Sequence, residues 1–224
     1  MSTVEATSAG AKKLDYWWTV LFIDPLAVPI AHFVAVRRLL TPDQVTWISA
    51  VFGLPVGLAF AWGSRAGLVV GALLFYVSFL FDCVDGKVAR ALGVTSPVGM
   101  TIDQIADGAR RASASIGLAV YLWKVSQPHG ADGRLFWAVA YGFLAFYFGL
   151  ISGGTRSEAS LQDGSRWARW LARHRLLPTP GAPDAAGIVF VIGPLSGWVV
   201  PCLVIGCVML AVGTAITTRR LLNR

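Results

Sequence analysis

The chain reads as an all-α polytopic membrane protein, six transmembrane helices plus an N-terminal interfacial helix, on three observations. Hydrophobic residues make up 55% of its 224 residues and charged residues only 14%, against roughly 45–50% and 25% in a soluble domain. Mean hydropathy is +0.63, and apolar runs of roughly 20 residues recur, the length that crosses a bilayer. The Lys and Arg residues gather at the ends of those runs. Too few charges remain to cover a soluble globule. The same composition excludes a disordered chain, a coiled coil and a disulfide scaffold. Cys83, Cys202 and Cys207 lie in apolar stretches without metal-ligand spacing and read as small buried hydrophobes.

The N-terminus has no uninterrupted apolar core before a small-residue cleavage site, so no signal peptide is assigned. Segment 17–36 is apolar enough to span, but Asp24, Pro25, Pro29 and His32 interrupt it. It is expected to be interfacial or half-inserted, anchored by Tyr16, Trp17 and Trp18. Residues 1–40 then form a cytoplasmic and interfacial segment, and residues 41–224 the six-helix membrane domain. Thr41 followed by Pro42 is an N-cap and first helical residue. The spans are expected at about 44–63, 66–84, 104–123, 135–153, 185–199 and 200–218, with Pro194 and Pro201 bounding the last two. The longest polar stretch, 154–184, holds SRWARWLARHRLL, a basic amphipathic pattern suited to a membrane surface, which PTPGAP ends. Gly53/Gly57, Gly149/Gly153 and Gly193/Gly197 have the small-xxx-small spacing of close helix packing and hint at a dimer.

With a cytoplasmic N-terminus, sixteen Lys and Arg fall inside and three, Arg65, Lys124 and Arg134, outside. That bias orients the chain and accounts for the net charge of +7 through topology and attraction to anionic lipid. Nucleic acid is not an expected partner. The cytoplasmic membrane is the expected location.

Asp82 and Asp85 are three apart at the cytoplasmic end of the second span, and Asp103 and Asp107 four apart at the start of the third. Each pair shares a helix face, and a short connection lets the two faces oppose each other. Carboxylates in or near a membrane mark function by default, and four together cannot all ionise without cations. All-oxygen ligands suit Mg²⁺ or Mn²⁺. Two such ions would neutralise the four charges and clamp a phosphoryl-transfer substrate. Gly86 lets a ligand approach the backbone, and Arg90 lies where bound phosphates would be reached.

The string DCVDGKVARALGVTSPVGMTIDQIAD at 82–107 resembles the CDP-alcohol phosphotransferases, whose signature D-x2-D-G-x2-A-R-x8-G-x3-D-x3-D it matches at every defined position. The resemblance covers roughly 41–123 closely and the rest in its plan of six spans. It implies that Asp82, Asp85 and Asp103 bind two divalent ions, and that Asp107 is both a ligand and the general base. It implies that Gly86, Arg90 and Ser96 hold the CDP-alcohol, and that TPDQVT at 41–46 brings Asp43, Gln44 and Thr46 to the cytidine nucleotide. The expected reaction moves a phosphatidyl or similar group from a CDP-alcohol, CDP-diacylglycerol first among them, to an acceptor alcohol and releases CMP. The active site would face the cytoplasm, and the protein would be a homodimer among membrane lipids. For the acceptor, Arg111 lies i+4 from Asp107, and Arg156 follows the fourth span in GGTRSEAS. Together they suit a phosphorylated polyol, although a bridge from Arg111 to Asp107 is the alternative use of that residue. Gly108 follows Asp107 where the phosphatidylglycerophosphate and phosphatidylinositol-phosphate branches usually carry Lys or Arg.

Two other classes compete: an intramembrane cation transporter, and a non-catalytic scaffold on the same fold. Clustering of all four acids at one membrane face counts against the first. The intact signature counts against the second.

Overall fold

The computed structural model describes residues 10–94, 97–126, 134–152 and 166–222, which include no strand. The helices are α1 Thr19–Arg37, α2 Pro42–Ala61, α3 Arg65–Leu92, α4 Pro97–Ser126, α5 Arg134–Ser152, α6 Arg166–Arg173, α7 Ala182–Ser196 and α8 Val199–Leu222. Five of them, α1, α2, α3, α5 and α8, contain stretches long and apolar enough to cross a membrane. The expected spans overlap α2 to α5, α7 and α8 in position, but α4 and α7 are not among the five helices long and apolar enough to cross, and α3 and α4 are extended at the ends that carry the acids.

That extension has a local cause. Helix α3 starts where the Ser64 hydroxyl accepts from the Gly67 amide at 3.0 Å, and it meets no breaker until Gly93, which turns left-handed at φ +65°. Its 28 residues measure roughly 42 Å at 1.5 Å per residue, against a hydrocarbon core of about 30 Å. The surplus turns carry Asp82, Asp85, Gly86 and Arg90 on one rigid rod. Helix α2 opens with the expected cap, completed as a capping box: Thr41 Oγ1 accepts from the Gln44 amide at 3.3 Å and Gln44 Oε1 from the Thr41 amide at 2.9 Å.

Helix α2 packs against both α3 and α4, α1 against α3, α5 against α4 and α8, and α7 between α3 and α8. The core is aromatic where α7 enters it. Phe190, on a π-helical turn over Ile188–Ile192, lies 4.9 Å from Phe75, 5.5 Å from Tyr141 and 6.4 Å from Phe60 between ring centroids. The outer faces of α2, α5 and α8 expose Trp47, Leu58, Phe136, Phe143, Ile205 and Val208 among others, the surface a lipid solvent requires.

The glycines at 53, 57 and 193 serve contacts within the chain, whereas a Cβ on Gly149 would meet nothing within 4 Å. A Cβ on Gly57 would lie 2.2 Å from the Ser113 carbonyl oxygen, and one on Gly117 2.2 Å from that of Gly57, so α2 and α4 touch backbone to backbone. The Gly57 amide donates to Ser113 Oγ at 3.1 Å, and that hydroxyl donates to the Leu54 carbonyl at 2.7 Å. Gly53 faces Ser78 and Arg110, and Gly193 faces Cys202. The expected hint of a dimer at Gly53/Gly57 and at Gly193 thus gives way to packing inside one chain. Gly153 lies outside the described residues.

The expected break in segment 17–36 does not occur. A π-helical turn over Thr19–Ile23 leads into a helix that runs past Pro25 and through Pro29. Widening the turn ahead of Pro25 accommodates its missing N–H. Helix α1 is thus continuous and among the helices long and apolar enough to cross a membrane. Tyr76 donates to the Phe22 carbonyl at 2.7 Å, and Arg38, the C-cap, shares a cavity wall with Asp85, Ala89 and Leu92. The buried Asp24 of α1 pairs with Lys87 at 2.8 Å and with Arg175 at 2.9 Å, fastening α1 to α3 and to the segment after α6. That segment pairs with the N-terminal one: Asp15 N donates to the Arg175 carbonyl at 2.9 Å and Leu177 N to that of Asp15 at 3.0 Å. Trp18 N donates to Asp184 at 2.6 Å.

The α2–α4 contact yields a test. Gly117→Leu should prevent folding or lower the thermal midpoint in detergent by many degrees, because backbone must move. Gly142→Ala, whose new methyl would meet only Ser115 Cβ at 3.9 Å, should stabilise by about 0.5–1 kcal/mol. Melting curves of the two variants check this, and a well-folded Gly117→Leu protein would contradict the packing.

Candidate active site

Two cavities meet at the ends of α3 and α4. The larger, about 810 Å³, is lined by the α1–α2 connection and the start of α2, including Asp43, Gln44 and Thr46, together with Asp85, Gly86, Met100 and Asp103. The smaller, about 340 Å³, is lined by Asp82, Asp85, Asp103 and Asp107, by Arg90, Arg110 and Arg111, and by Lys12, Asp15 and Tyr16 of the N-terminal segment. Asp85, Gly86 and Asp103 belong to both walls. All four aspartates therefore reach one region, as helical spacing requires.

Named partners hold Asp82, Asp85 and Asp107. Thr46 Oγ1 donates to Asp85 Oδ2 at 2.6 Å, in preference to the Pro42 carbonyl at 3.2 Å. Arg110 bridges α3 and α4: its Nη2 pairs with Asp107 Oδ1, and its Nη1 lies 3.3 Å from Asp82 Oδ1. Arg111 takes the other oxygen of Asp107 at 2.8 Å. With these partners in place, no three His, Cys, Asp or Glu side chains among the described residues form a ready ion cage. The donor set nevertheless fits hard divalent ions. It is four carboxylates from two helices on the wall of one cavity, the all-oxygen chemistry such ions take.

The two adjacent arginines differ in burial: the side chain of Arg111, which its spacing from Asp107 places deeper along the same face, is 40% exposed, whereas Arg110 is 2% exposed. One residue is a rotation of about 100° on an α-helix, enough to separate cavity rim from interior. The bridge from Arg111 to Asp107 is present. Spacing does not separate the two, since Arg110 is i+3 from Asp107 and i+7 from Asp103 and Arg111 is i+4 and i+8.

The residues expected to hold the donor divide between the two cavities. Asp43, Gln44 and Thr46 line the larger, with Gln44 also in the capping box and Thr46 on Asp85. Arg90 lines only the smaller; its Nε donates to the Gly10 carbonyl at 2.6 Å. It also folds over Gly86, where a Cβ would sit 3.2 Å from its Nη1. Ser96 and Arg156 lie outside the described residues. Sequence reasoning missed the N-terminal contribution of Lys12, Asp15 and Tyr16, which no local motif announces, and the hydroxyls of Ser49 and Ser78 beside Arg110.

Comparison with known proteins supplies the remaining findings. Residues 39–162 match the family model of CDP-alcohol phosphatidyltransferase. A phosphatidylinositol phosphate synthase of Cutibacterium acnes is 30% identical over 190 residues, 84% of this chain and 86% of that protein. One from Streptomyces avermitilis is 34% identical over 121 residues, 46% of this chain and 43% of that protein. Two crystal structures of the Mycobacterium tuberculosis phosphatidylinositol phosphate synthase each superpose with a TM-score of 0.52. One, in complex with manganese and citrate, is 22% identical and covers 86% of this chain and 88% of that one. The other, with CDP-DAG bound, is 19% identical and covers 86% and 94%. At those identities the superpositions establish the fold.

Proposed function

The chain belongs to the CDP-alcohol phosphatidyltransferase family, and from that premise we propose that its two cavities hold the two substrates of one phosphoryl transfer. It is a membrane transferase that moves a substituted phosphate group from a CDP-alcohol to an acceptor alcohol and releases CMP. The observation that carries the proposal is the shared wall: Asp85, Gly86 and Asp103 face both cavities. A reacting phosphorus there is reachable from either side.

In this reading the larger cavity takes the CDP-alcohol, with Asp43, Gln44 and Thr46 towards the nucleotide and the backbone at Gly86 close to the pyrophosphate. Ser96 is assigned to the same substrate on the signature alone. Apolar residues of that wall, Leu39, Leu40, Leu92 and Met100, suit a lipid donor such as CDP-diacylglycerol. Divalent ions, Mg²⁺ or Mn²⁺, held by Asp82, Asp85, Asp103 and Asp107, supply charge neutralisation at the pyrophosphate. Thr46 orients Asp85 through its hydrogen bond. Arg90 lends positive charge towards the leaving phosphate.

The acceptor enters the smaller cavity. Asp107 takes the proton of its hydroxyl at a carboxylate oxygen. The freed oxygen attacks the phosphorus that bears the donor alcohol, and the bond from that phosphorus to CMP breaks. Arg111, exposed enough to move, exchanges Asp107 for an anion on the acceptor, with Arg156 as a second contact. A phosphorylated polyol fits this best, and the names of the relatives, phosphatidylinositol phosphate synthases, support it. The site faces the cytoplasm of the cytoplasmic membrane, as the sixteen-to-three distribution of Lys and Arg favours.

Three outcomes are expected. Purified protein given labelled CDP-diacylglycerol and a panel of alcohols should release CMP with Mg²⁺ or Mn²⁺ and not in EDTA, and Asp107→Asn should abolish release while the protein stays folded. Turnover in that variant would remove Asp107 as the base. Arg111→Ala should raise the acceptor KM about tenfold or more, the weight of a charge-assisted contact of roughly 1.5–3 kcal/mol, and leave the donor KM nearly unchanged. A neutral polyol as the better acceptor, or an unmoved KM, would refute the assignment. Cysteine labelling at Gln162 should require permeabilised cells; labelling from outside intact cells would invert the topology.

A further inference from the structure

Arg110 is built into a cage. Its Nη1 lies 3.4 Å from both Ser49 Oγ and Ser78 Oγ. Those hydroxyls spend their hydrogens on each other's carbonyls: Ser49 Oγ donates to the Ser78 carbonyl at 2.9 Å and Ser78 Oγ to that of Ser49 at 2.8 Å. Both oxygens therefore offer lone pairs to the guanidinium. The rings of Phe75 and Phe79 stand with centroids 5.7 and 5.2 Å from its Cζ, within cation–π range. Gly53 leaves room for the stem; a Cβ there would come within 3.1 Å of Arg110 Cβ. Three helices thus cooperate to fix one positive charge, and its remaining partners are Asp82 and Asp107.

Arg110 is 2% exposed and meets the smaller cavity only at its wall, unlike the more exposed Arg111. We infer that Arg110 is the internal counter-ion of the active site. It compensates Asp82 and Asp107 whenever divalent ions are absent, holds those carboxylates in place for loading, and lowers the affinity of the Asp82/Asp107 side for a divalent ion. The inference rests on the reading of the four aspartates as ion ligands and adds a role for a residue outside the signature. Its physical basis is Coulombic. Two carboxylates facing each other in a low-dielectric region repel unless a cation lies between them. A fixed cation there also repels any arriving one.

The test measures Mn²⁺ binding by calorimetry and by the loss of the free-ion EPR signal, on the full chain in detergent, for wild type, R110K and R110M. Removing the charge in R110M should tighten Mn²⁺ binding by about tenfold or more. R110M should also melt well below wild type in EDTA and show a larger rise in midpoint on adding Mn²⁺, because the ion then replaces the missing counter-ion. R110K, which keeps the charge, should bind Mn²⁺ much as wild type does. An R110M protein that folds only with Mn²⁺ supports the inference equally. Unchanged or weaker Mn²⁺ affinity in R110M would overturn it, as would a variant unfolded both with and without the ion. Absence of Mn²⁺ binding in the wild type would instead overturn the ion-ligand reading on which it rests.

Discussion

Four carboxylates at one end of two apolar helices are the constraint around which the rest of the molecule is arranged. Carboxylates this close repel, and the repulsion is largest where the dielectric is low. Helices α3 and α4 would therefore separate at the end where chemistry needs them together. Helix α2 resists this. It packs on both neighbours, meets α4 through backbone at Gly57 and Gly117, and meets α3 through the reciprocal Ser49–Ser78 hydrogen bonds. Arg110 adds an electrostatic tie across the same gap, from α4 to Asp82 of α3. Small residues and one cation do together what neither does alone.

A second layer of charge closes the site from the N-terminal side. Lys87 stands one residue after the signature glycine, yet it turns away from the acids to pair with buried Asp24. Asp24 also holds Arg175, and Arg175 donates to the Lys12 carbonyl. The buried carboxylate of Asp24 is thus compensated by two cations, the condition for keeping its charge out of water. Its consequence is positional. It brings Lys12, Asp15 and Tyr16 to the wall of the smaller cavity, so a segment with no recognisable motif borders the space assigned to the acceptor.

Much of this was legible in the sequence because it is governed by short-range rules. Apolar run length located the long helices, Thr41 and Pro42 announced the start of α2, and i, i+3 and i, i+4 spacing put each pair of acids on one helix face. Three features were not legible. Pro25 and Pro29 suggested a broken segment, but a π-helical turn keeps α1 continuous, and nothing local signals such a turn. Gly53 and Gly57 have a spacing equally suited to packing between chains or within one, and only the tertiary partner decides. Arg110 and Arg111 are adjacent, so their burial depends on helix rotation to a precision finer than span boundaries provide. The division of donor residues between two cavities likewise follows from how α1 and α2 fold over α3.

The geometry also separates the transferase from a cation pathway built on the same acids. A pathway needs polar groups or water continuing through the membrane beyond the entry cluster. Below Asp82 and Asp107 the next groups are the caged guanidinium of Arg110 and the rings of Phe75 and Phe79. Deeper still, Phe75 packs on Phe190 and Phe190 on Phe60, and each of these three rings is 2% exposed or less. A fixed positive charge followed by an aromatic plug is a barrier to cations. It suits the floor of the proposed site, which would hold ions at one face and present them to a pyrophosphate.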